Sequence, residues 1–388
     1  MVTDAIRYDP FSAEAHDDPY PLYRHLRDAA PVYHSPERSF WALSRFADVQ
    51  EAARTWQTFS QTPGVDLGGF ANLFGVGDFL DVDPPSHAAL RDIIRHRFAP
   101  RAIGELEAFA RATTRELLSK LAAEGEVDMA TRLALELPVR IVTHLVGLPA
   151  AERAPIFALC AELIDQVPGQ ADPTARQLAA REQVRERLGA LVQRGGDAGT
   201  ILDDVAAAVR GGALTLAEAQ GMLLLVCVAG FETTASLLAH AIYLLDVHRG
   251  QRELLLADRA LVGDAIEEIV RYEAPIQIMA RTALCDAEID GTTIPAGERV
   301  VLIYGSANRD ERRFEDPDRF DVRRPRLRHL GFGEGIHHCL GAPLARLEGR
   351  VLLEELLAGY PTWTVTGEIV RPPSHNARGI ATLPVRLR

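Results

Sequence analysis

Lysine is almost missing: Lys120 is the only one in 388 residues, and the other strongly basic side chains are all arginine. A phosphate-binding loop of the Walker A kind and a pyridoxal-phosphate Schiff base each need a lysine in a particular setting. Lys120 sits instead in the glycine-free helical run Leu117 to Leu121, so both chemistries are excluded. Cysteine is scarce as well. The four, Cys160, Cys227, Cys285 and Cys339, form no C-x-x-C pair, which argues against a disulfide framework or a zinc ribbon. There is no G-x-S-x-G, no H-E-x-x-H and no G-x-G-x-x-G, since Gly333-Glu334-Gly335 runs into Ile336 and two histidines; the common hydrolase and dinucleotide readings lack support. The longest strongly apolar stretch, Met222 to Gly230, falls well short of the ~20 residues of a membrane span. Met1 to His16 is too polar for a signal peptide. The expectation is a cytoplasmic chain without a membrane anchor. A net charge of −12 leaves no whole-molecule footing for nucleic acid.

What is present is ordinary globular composition, 47% hydrophobic and 25% charged, with no repeat or long linker, so a single domain over 1–388 is expected. Apolar residues recur at three- and four-residue spacing around 103–124, 131–147, 173–194 and 215–247, which predicts helices. Thr215-Leu216-Ala217-Glu218 is a capping box opening a helix long enough to cross the core. Strand patterns are confined to Pro31 to His34, Phe40 to Leu43 and Ala287 to Ile303, the last broken by Asp290-Gly291 and Pro295-Ala296-Gly297 as turn formers. The fold class is therefore mainly α with a small β portion. Residues 61–79 are rich in glycine (Gly64, Gly68, Gly69, Gly75, Gly77) with Phe70, Leu73, Phe74 and Phe79 between them. Such a segment suits a substrate-lining lid, and equally a surface loop whose aromatics tuck into the core.

The most informative stretch is Gly331-Phe332-Gly333-Glu334-Gly335-Ile336-His337-His338-Cys339-Leu340-Gly341-Ala342-Pro343-Leu344-Ala345-Arg346. Glycines permit tight turns and close approach to a flat ligand. A cysteine at a helix start meets N–H donors and the positive end of the dipole, which favours thiolate. A rigidly presented thiolate is a strong axial donor for haem iron; the alternative is a plain buried cysteine beside a glycine turn. Three adjacent residues cannot converge on one tetrahedral zinc.

This stretch, F-G-x-G-x-H-x-C-x-G-x-x-L-A-R, resembles the haem-binding signature of the cytochrome P450 family. The resemblance implies that family's fold, with a long central helix crossing the haem. It implies haem b held by Cys339 as the metal ligand, and a cradle that includes Phe332, Gly333 and Gly341. Glu268-Ile269-Val270-Arg271 resembles the family's E-x-x-R, and Asp316-Pro317-Asp318-Arg319-Phe320 the segment whose arginine completes that triad, giving Glu268, Arg271 and Arg319 structural roles. Taken alone, an E-x-x-R is usually a solvated pair of little value.

Ala229-Gly230-Phe231-Glu232-Thr233-Thr234 interrupts the apolar helix with an acid and hydroxyls, which need partners or a function when buried. It resembles the family's oxygen-activating motif. By that resemblance Glu232 and Thr233 relay protons, and Ala229 and Gly230 leave room over the cofactor. Peroxide-using relatives lack this pair, so its presence favours oxygen activation fed by electrons over the alternatives, a peroxygenase or a non-oxygenase haem sensor. His87 and Arg91, four apart on one helical face, match a propionate-binding H-x-x-x-R, and Arg281 and His337 match the other propionate contacts.

The resemblance spans essentially the whole chain and leaves no room for a flavin or iron–sulfur domain. It therefore implies a separate ferredoxin, or flavodoxin, with an NAD(P)H reductase. The basic run Arg323-Arg324-Pro325-Arg326-Leu327-Arg328-His329 would steer an acidic donor, although such a run is also a common solvated face. A small-molecule substrate pocket is expected from residues 61–79 with Phe74, from Leu225, Val228 and Ala229, from Gln277 and Ile278, and from Asn376 and Ala377. Gln277 is its candidate hydrogen-bonding group. The implied reaction is insertion of one oxygen atom into an apolar or aromatic substrate by hydroxylation, O-dealkylation or epoxidation.

Overall fold

The computed structural model describes residues 6–67, 73–166, 170, 172–326 and 328–388. Gly68, Gly69 and Phe70 of the glycine-rich segment and Leu327 of the basic run lie outside the described residues.

The helix Leu216–Val247 organises the molecule. Thr215 caps it: its Oγ1 accepts from Glu218 N at 3.2 Å, and Thr215 N donates to Glu218 Oε2 at 2.7 Å. The box satisfies two of the amide donors that every helix start leaves over. Beyond the cap the helix is apolar all round, which suits an element enclosed on every side rather than an amphipathic surface helix. Its length and hydropathy match a membrane span, but most of its apolar window is buried among other helices. It packs on Glu136–Val146, Ala175–Arg194, Ala150–Ile164 and Ala342–Gly359. A Cβ at Gly230 would stand 2.6 Å from Val142 Cγ2, so glycine there lets two helices approach closely.

The β portion is a five-stranded sheet in the order Val32–Ser35, Phe40–Leu43, Arg299–Ile303, Ile278–Ala283, Phe59–Ser60. Phe40–Leu43 runs parallel to Arg299–Ile303, and the other pairs are antiparallel. The expected strand region 287–303 divides into three short strands, Ala287–Ile289, Thr292–Ile294 and Arg299–Ile303. Asp290 and Gly291, at φ 48° and 73°, turn the first hairpin, as a tight two-residue loop requires. Strand Ile278–Ala283 begins before the expected region. A second sheet joins Glu126–Asp128, Pro384–Leu387 and Trp363–Val365.

Part of the glycine-rich segment folds against the first turns of the long helix. A Cβ on Gly77, at φ +91°, would fall 2.1 Å from Glu218 O, and one on Gly221 2.1 Å from Val76 O. Neither position has space for a side chain. Arg185 Nη1 donates to Phe74 O at 2.9 Å, which ties the same segment to the helix Ala175–Arg194.

Candidate active site

Cys339 closes a tight loop. Its N–H donates to Phe332 O at 2.8 Å, and Gly333 N to Leu330 O at 2.9 Å. Gly333 and Gly335 take φ +70° and +73°, a region glycine visits without cost. A Cβ on Gly335 would also stand 2.7 Å from Ala53 O of the helix Phe46–Arg54. Asn308 anchors the loop from behind, its Oδ1 accepting from Leu330 N at 2.7 Å. The helix Ala342–Gly359 starts three residues after the cysteine. The N–H groups of Gly341 and Ala342, with the charges of Arg91 and Arg346, favour the thiolate; burial outweighs them and pushes the thiol up. The side chain has open surface even though protein encloses it, so it borders an interior space.

The long helix is open toward the interior in the same way. Between buried Val228 and buried Thr234, Ala229 is exposed and Gly230, Glu232 and Thr233 are half-buried. Positions 225, 229, 232 and 236 share one helical face. Thr233 Oγ1 donates to Ala229 O at 2.9 Å and Ser236 Oγ to Glu232 O at 3.0 Å, the back-bonding that short hydroxyl side chains make within helices. Among the described residues Glu232 has no charged partner to offset its loss of water, and burial raises its carboxyl to about 7.

Two imidazoles and two guanidinium groups cluster beside the cysteine loop. His87 and His337 lie with ring centroids 4.3 Å apart, and Arg281 and Arg91 are close enough to lower the His337 pKa further, after burial and His87. Arg281 is buried and donates to Ala280 O and Tyr304 Oη at 2.9 and 3.2 Å. Arg91 spends two bonds on backbone, donating to Ile336 O at 3.2 Å and His338 O at 2.7 Å. It thus clamps the cysteine loop as well as contributing charge. Nearby is Asp83, 3.9 Å from His337 Nε2. That carboxylate is already taken by the Ser60 hydroxyl and Gln61 N. His87 Nε2 is buried with no hydrogen-bond partner among the described residues. Asp83 and Tyr304 were not anticipated, and Gln61 was expected only as part of the segment 61–79; the Asp83-Pro84-Pro85 turn just before His87 is the signal that could have found the acid.

Behind the loop a buried ion cluster holds the segment 308–324. Arg271 Nε and Nη2 donate to Glu268 at 2.7 and 2.8 Å, and Arg271 Nη1 donates to Asn308 O and Pro317 O, each at 2.9 Å. The expected third member, Arg319, is corrected: its side chain is 65% exposed and pairs with Asp321 at 3.4 Å. Arg324 completes the cluster instead, Nε donating to Glu268 Oε1 at 3.1 Å. The turn closed by Arg319 N on Asp316 O at 3.0 Å sends the Arg319 side chain outward. Its carbonyl turns inward to accept from Arg324 Nη2 at 2.8 Å. A second acid, Glu267, accepts from Arg346 at 2.6 and 3.0 Å and meets His329 Nε2 at 3.1 Å. Burial opposes its ionisation, but these two partners prevail and hold it near 2.

Gln277 and Ile278 are also corrected. Gln277 Nε2 donates to Ala274 O at 2.7 Å, and the side chain fills the hollow left by Gly305 beside Tyr23. Ile278 packs into the buried cluster of Tyr8, Tyr23, Leu26 and Phe40. Both side chains are absorbed by the sheet's outer packing, because Gly305 leaves room there. Phe74, Leu225 and Val228 lie in or against the main core with the long helix. Asn376 O accepts from Gln277 N at 2.8 Å, and Ala377 bridges Ile276.

These residues fit an iron porphyrin: a thiol opening inward at a helix start, an unpartnered buried imidazole nitrogen, and a cationic surplus suited to two carboxylates. The comparisons agree. The Cytochrome P450 family model matches residues 198–387. The chain is 36% identical to cytochrome P450 130 of Mycobacterium tuberculosis over 91% of each chain. It is 33% identical to the vitamin D(3) 25-hydroxylase of Pseudonocardia autotrophica, over 99% of this chain and 98% of that one. The crystal structure of CYP109E1 from Bacillus megaterium in complex with testosterone superposes with a TM-score of 0.89 at 28% identity, covering 97% and 99% of the two chains. Fold and donor set define a haem-thiolate monooxygenase. The chain belongs to the cytochrome P450 family, whose cofactor is haem b.

Proposed function

We propose that the protein, acting in the cytoplasm, inserts one atom of dioxygen into a small apolar or aromatic substrate. Hydroxylation is its principal outcome, with O-dealkylation or epoxidation following from substrate placement. The observation that carries this reading is the pairing of two openings on helices that pack together: Cys339 at the start of one, and Ala229 to Thr233 at the middle of the other. Cys339 would ligate the iron, and His87, Arg91, Arg281 and His337 would hold the propionates. Haem, when bound, would supply the centre at which dioxygen is bound and cleaved with electrons delivered by the ferredoxin. Burial raises the Glu232 carboxyl to about 7, so it can both hold and release a proton near neutral pH, and Thr233 positions a hydroxyl one residue away, so an acid and a relay stand on one helical turn. Phe74, Leu225 and Val228 supply an apolar wall. A hydroxylase among the relatives and testosterone in a structural neighbour favour an apolar substrate.

The test is the spectrum of the dithionite-reduced, carbon-monoxide-bound protein. A strongly red-shifted Soret band is expected in the wild type and is lost in Cys339→Ser; the same band in both would remove the thiolate from the reading.

Electrons would arrive through an open groove of about 670 Å³ lined by Arg326, Arg328, Arg346 and Arg350 and by the acids Glu107 and Glu267, which pair with the last two arginines. It lies on the first turns of the helix that follows Cys339. Arg326 and Arg328 remain exposed, although they pair with Asp264 and Glu334; Arg324 is withdrawn into the ion cluster. An acidic ferredoxin fits this surface. Arg326→Glu should raise the KM for ferredoxin by roughly tenfold and leave the carbon-monoxide spectrum unchanged. An unaltered KM and salt dependence would place docking elsewhere.

A further inference from the structure

One imidazole joins four parts of the chain. His375 is buried; its Nε2 donates to Asp66 Oδ2 at 2.9 Å, and its Nδ1 lies 3.1 Å from Gln166 Oε1. Phe11 stacks on the ring, with centroids 4.5 Å apart. Asn376 Nδ2 donates to the same Asp66 oxygen at 3.1 Å. Asp66 belongs to the glycine-rich segment, and Gln166 follows the helix Ala150–Ile164.

Each joined segment also reaches toward the site. The glycine-rich segment takes a bond from Ala280 N to Val65 O at 2.6 Å, next to Arg281. The helix before Gln166 sets Phe157 edge-on to Phe231 of the long helix at 5.3 Å. After His375, the place of a Cβ on Gly379 is 2.7 Å from Ser236 Oγ, the hydroxyl bonded to Glu232 O. The first segment is held independently, Arg299 Nη2 donating to Gly64 O and Asp66 O at 2.7 and 2.6 Å. The Gln166 side is tied on its own flank, Gln177 Nε2 donating to Leu163 O and Asp165 O at 3.2 and 2.6 Å, so what joins it across to Asp66 is the ring.

We propose that His375 is the latch of the substrate gate: substrates pass when the chain at Gln166 parts from Asp66, and the imidazole's two contacts set how often that happens. The inference rests on the oxygenase reading above, because it takes the space beneath these segments as the substrate chamber. His375 is a positioning residue. It acts on passage, as the lids of other enzymes do, and touches no reacting atom. A bond to a charged partner, once lost, shifts such an equilibrium by about tenfold or more.

The test uses holoenzyme and 4-phenylimidazole, whose binding is followed by the Soret shift in a stopped-flow instrument. His375→Ala should raise the association and dissociation rates together by about tenfold, with Kd changing much less. Gln166→Ala should do the same, and it keeps the test open if the histidine variant folds poorly. Hydrogen exchange on the same holoenzymes should quicken in concert at 61–67, 160–166 and 374–378. Unchanged binding rates, or faster exchange at 374–378 alone, would overturn the latch. A wild type that gives no Soret shift would instead count against the haem site, and the exchange data would still show whether His375 ties the segments together.

Discussion

Arg324→Ala is expected to destabilise the protein by about 3 kcal/mol, in the range for breaking a buried charge cluster, while Arg319→Ala stays within about 0.5 kcal/mol, as for a solvated pair. The difference comes from what each guanidinium holds. Arg324 donates to Glu268 and also to the carbonyls of Glu315, Asp316 and Arg319 at 2.6, 3.0 and 2.8 Å. Its loss removes a donor from three backbone carbonyls and takes one of the two guanidinium partners from Glu268, whose pair with Arg271 has both side chains 2% exposed. Among the described residues the Arg319 side chain pairs only with Asp321, and it is 65% exposed. Because the segment 308–324 leads into the cysteine loop through Asn308 and Leu330, Arg324→Ala should also lower haem retention. Denaturant midpoints and haem absorbance per protein would read both effects. Equal losses in the two variants would return Arg319 to the cluster.

That pair of arginines shows where sequence reading ends. Both lie downstream of the Glu268–Arg271 helix, each within three residues of Asp321, and no local pattern says which one turns inward. A single turn, with Asp316 at φ 43°, decides which side chain goes in. The long helix was legible because two signals coincided, a capping box and apolar residues recurring at three- and four-residue spacing; its expected span of 215–247 differs from the observed one by the cap alone. The cysteine loop was legible because glycines at fixed spacing encode positive φ locally. The helix Ala150–Ile164 was not, since Pro155 sits inside it and its apolar side chains form no single stripe. Strand Ile278–Ala283 escaped because it is largely buried on both faces, which removes the alternation that marks a half-exposed strand. Gln277 was given the wrong surroundings for a related reason: the hollow it fills is created by Gly305, 28 positions on, and no local pattern reports a vacancy made elsewhere. Ile278 follows the same misreading, because its cluster partners Tyr8, Tyr23 and Phe40 come from the other end of the chain. The His87 and Arg91 spacing was read correctly as one helical face, but the two backbone carbonyls that Arg91 holds could be seen only once the cysteine loop was in place.

Glu232→Gln is expected to slow product formation by about 100-fold, the lower end of the range for removing a positioned acid, and to change the pH dependence of stability in a calculable direction. An unfolded Glu ionises near its ordinary value; in the fold, burial holds the proton up to about 7. Between those two values the unfolded state has released a proton that the folded state keeps, so stability falls as pH rises through the window and levels off above about 7. The span of some two and a half units corresponds to a loss of roughly 3 kcal/mol. Glutamine carries no proton to release. The variant should therefore match the wild type near pH 4 and be the more stable protein at pH 8, although it turns over far less. Chemical denaturation at the two pH values measures the crossover. Turnover supplies the other half: the wild-type rate should decline above pH 7 as the acid form is lost, while the residual rate of the variant stays flat. Thr233→Ala, one position on, leaves that acid in place and removes only the hydroxyl. It should keep NAD(P)H oxidation near the wild-type rate and cut product per NAD(P)H by about tenfold. If Glu232→Gln and Thr233→Ala both leave that ratio intact, protons reach the reacting oxygen by another route, and the break in the apolar surface of the long helix serves only its packing against Glu136–Val146.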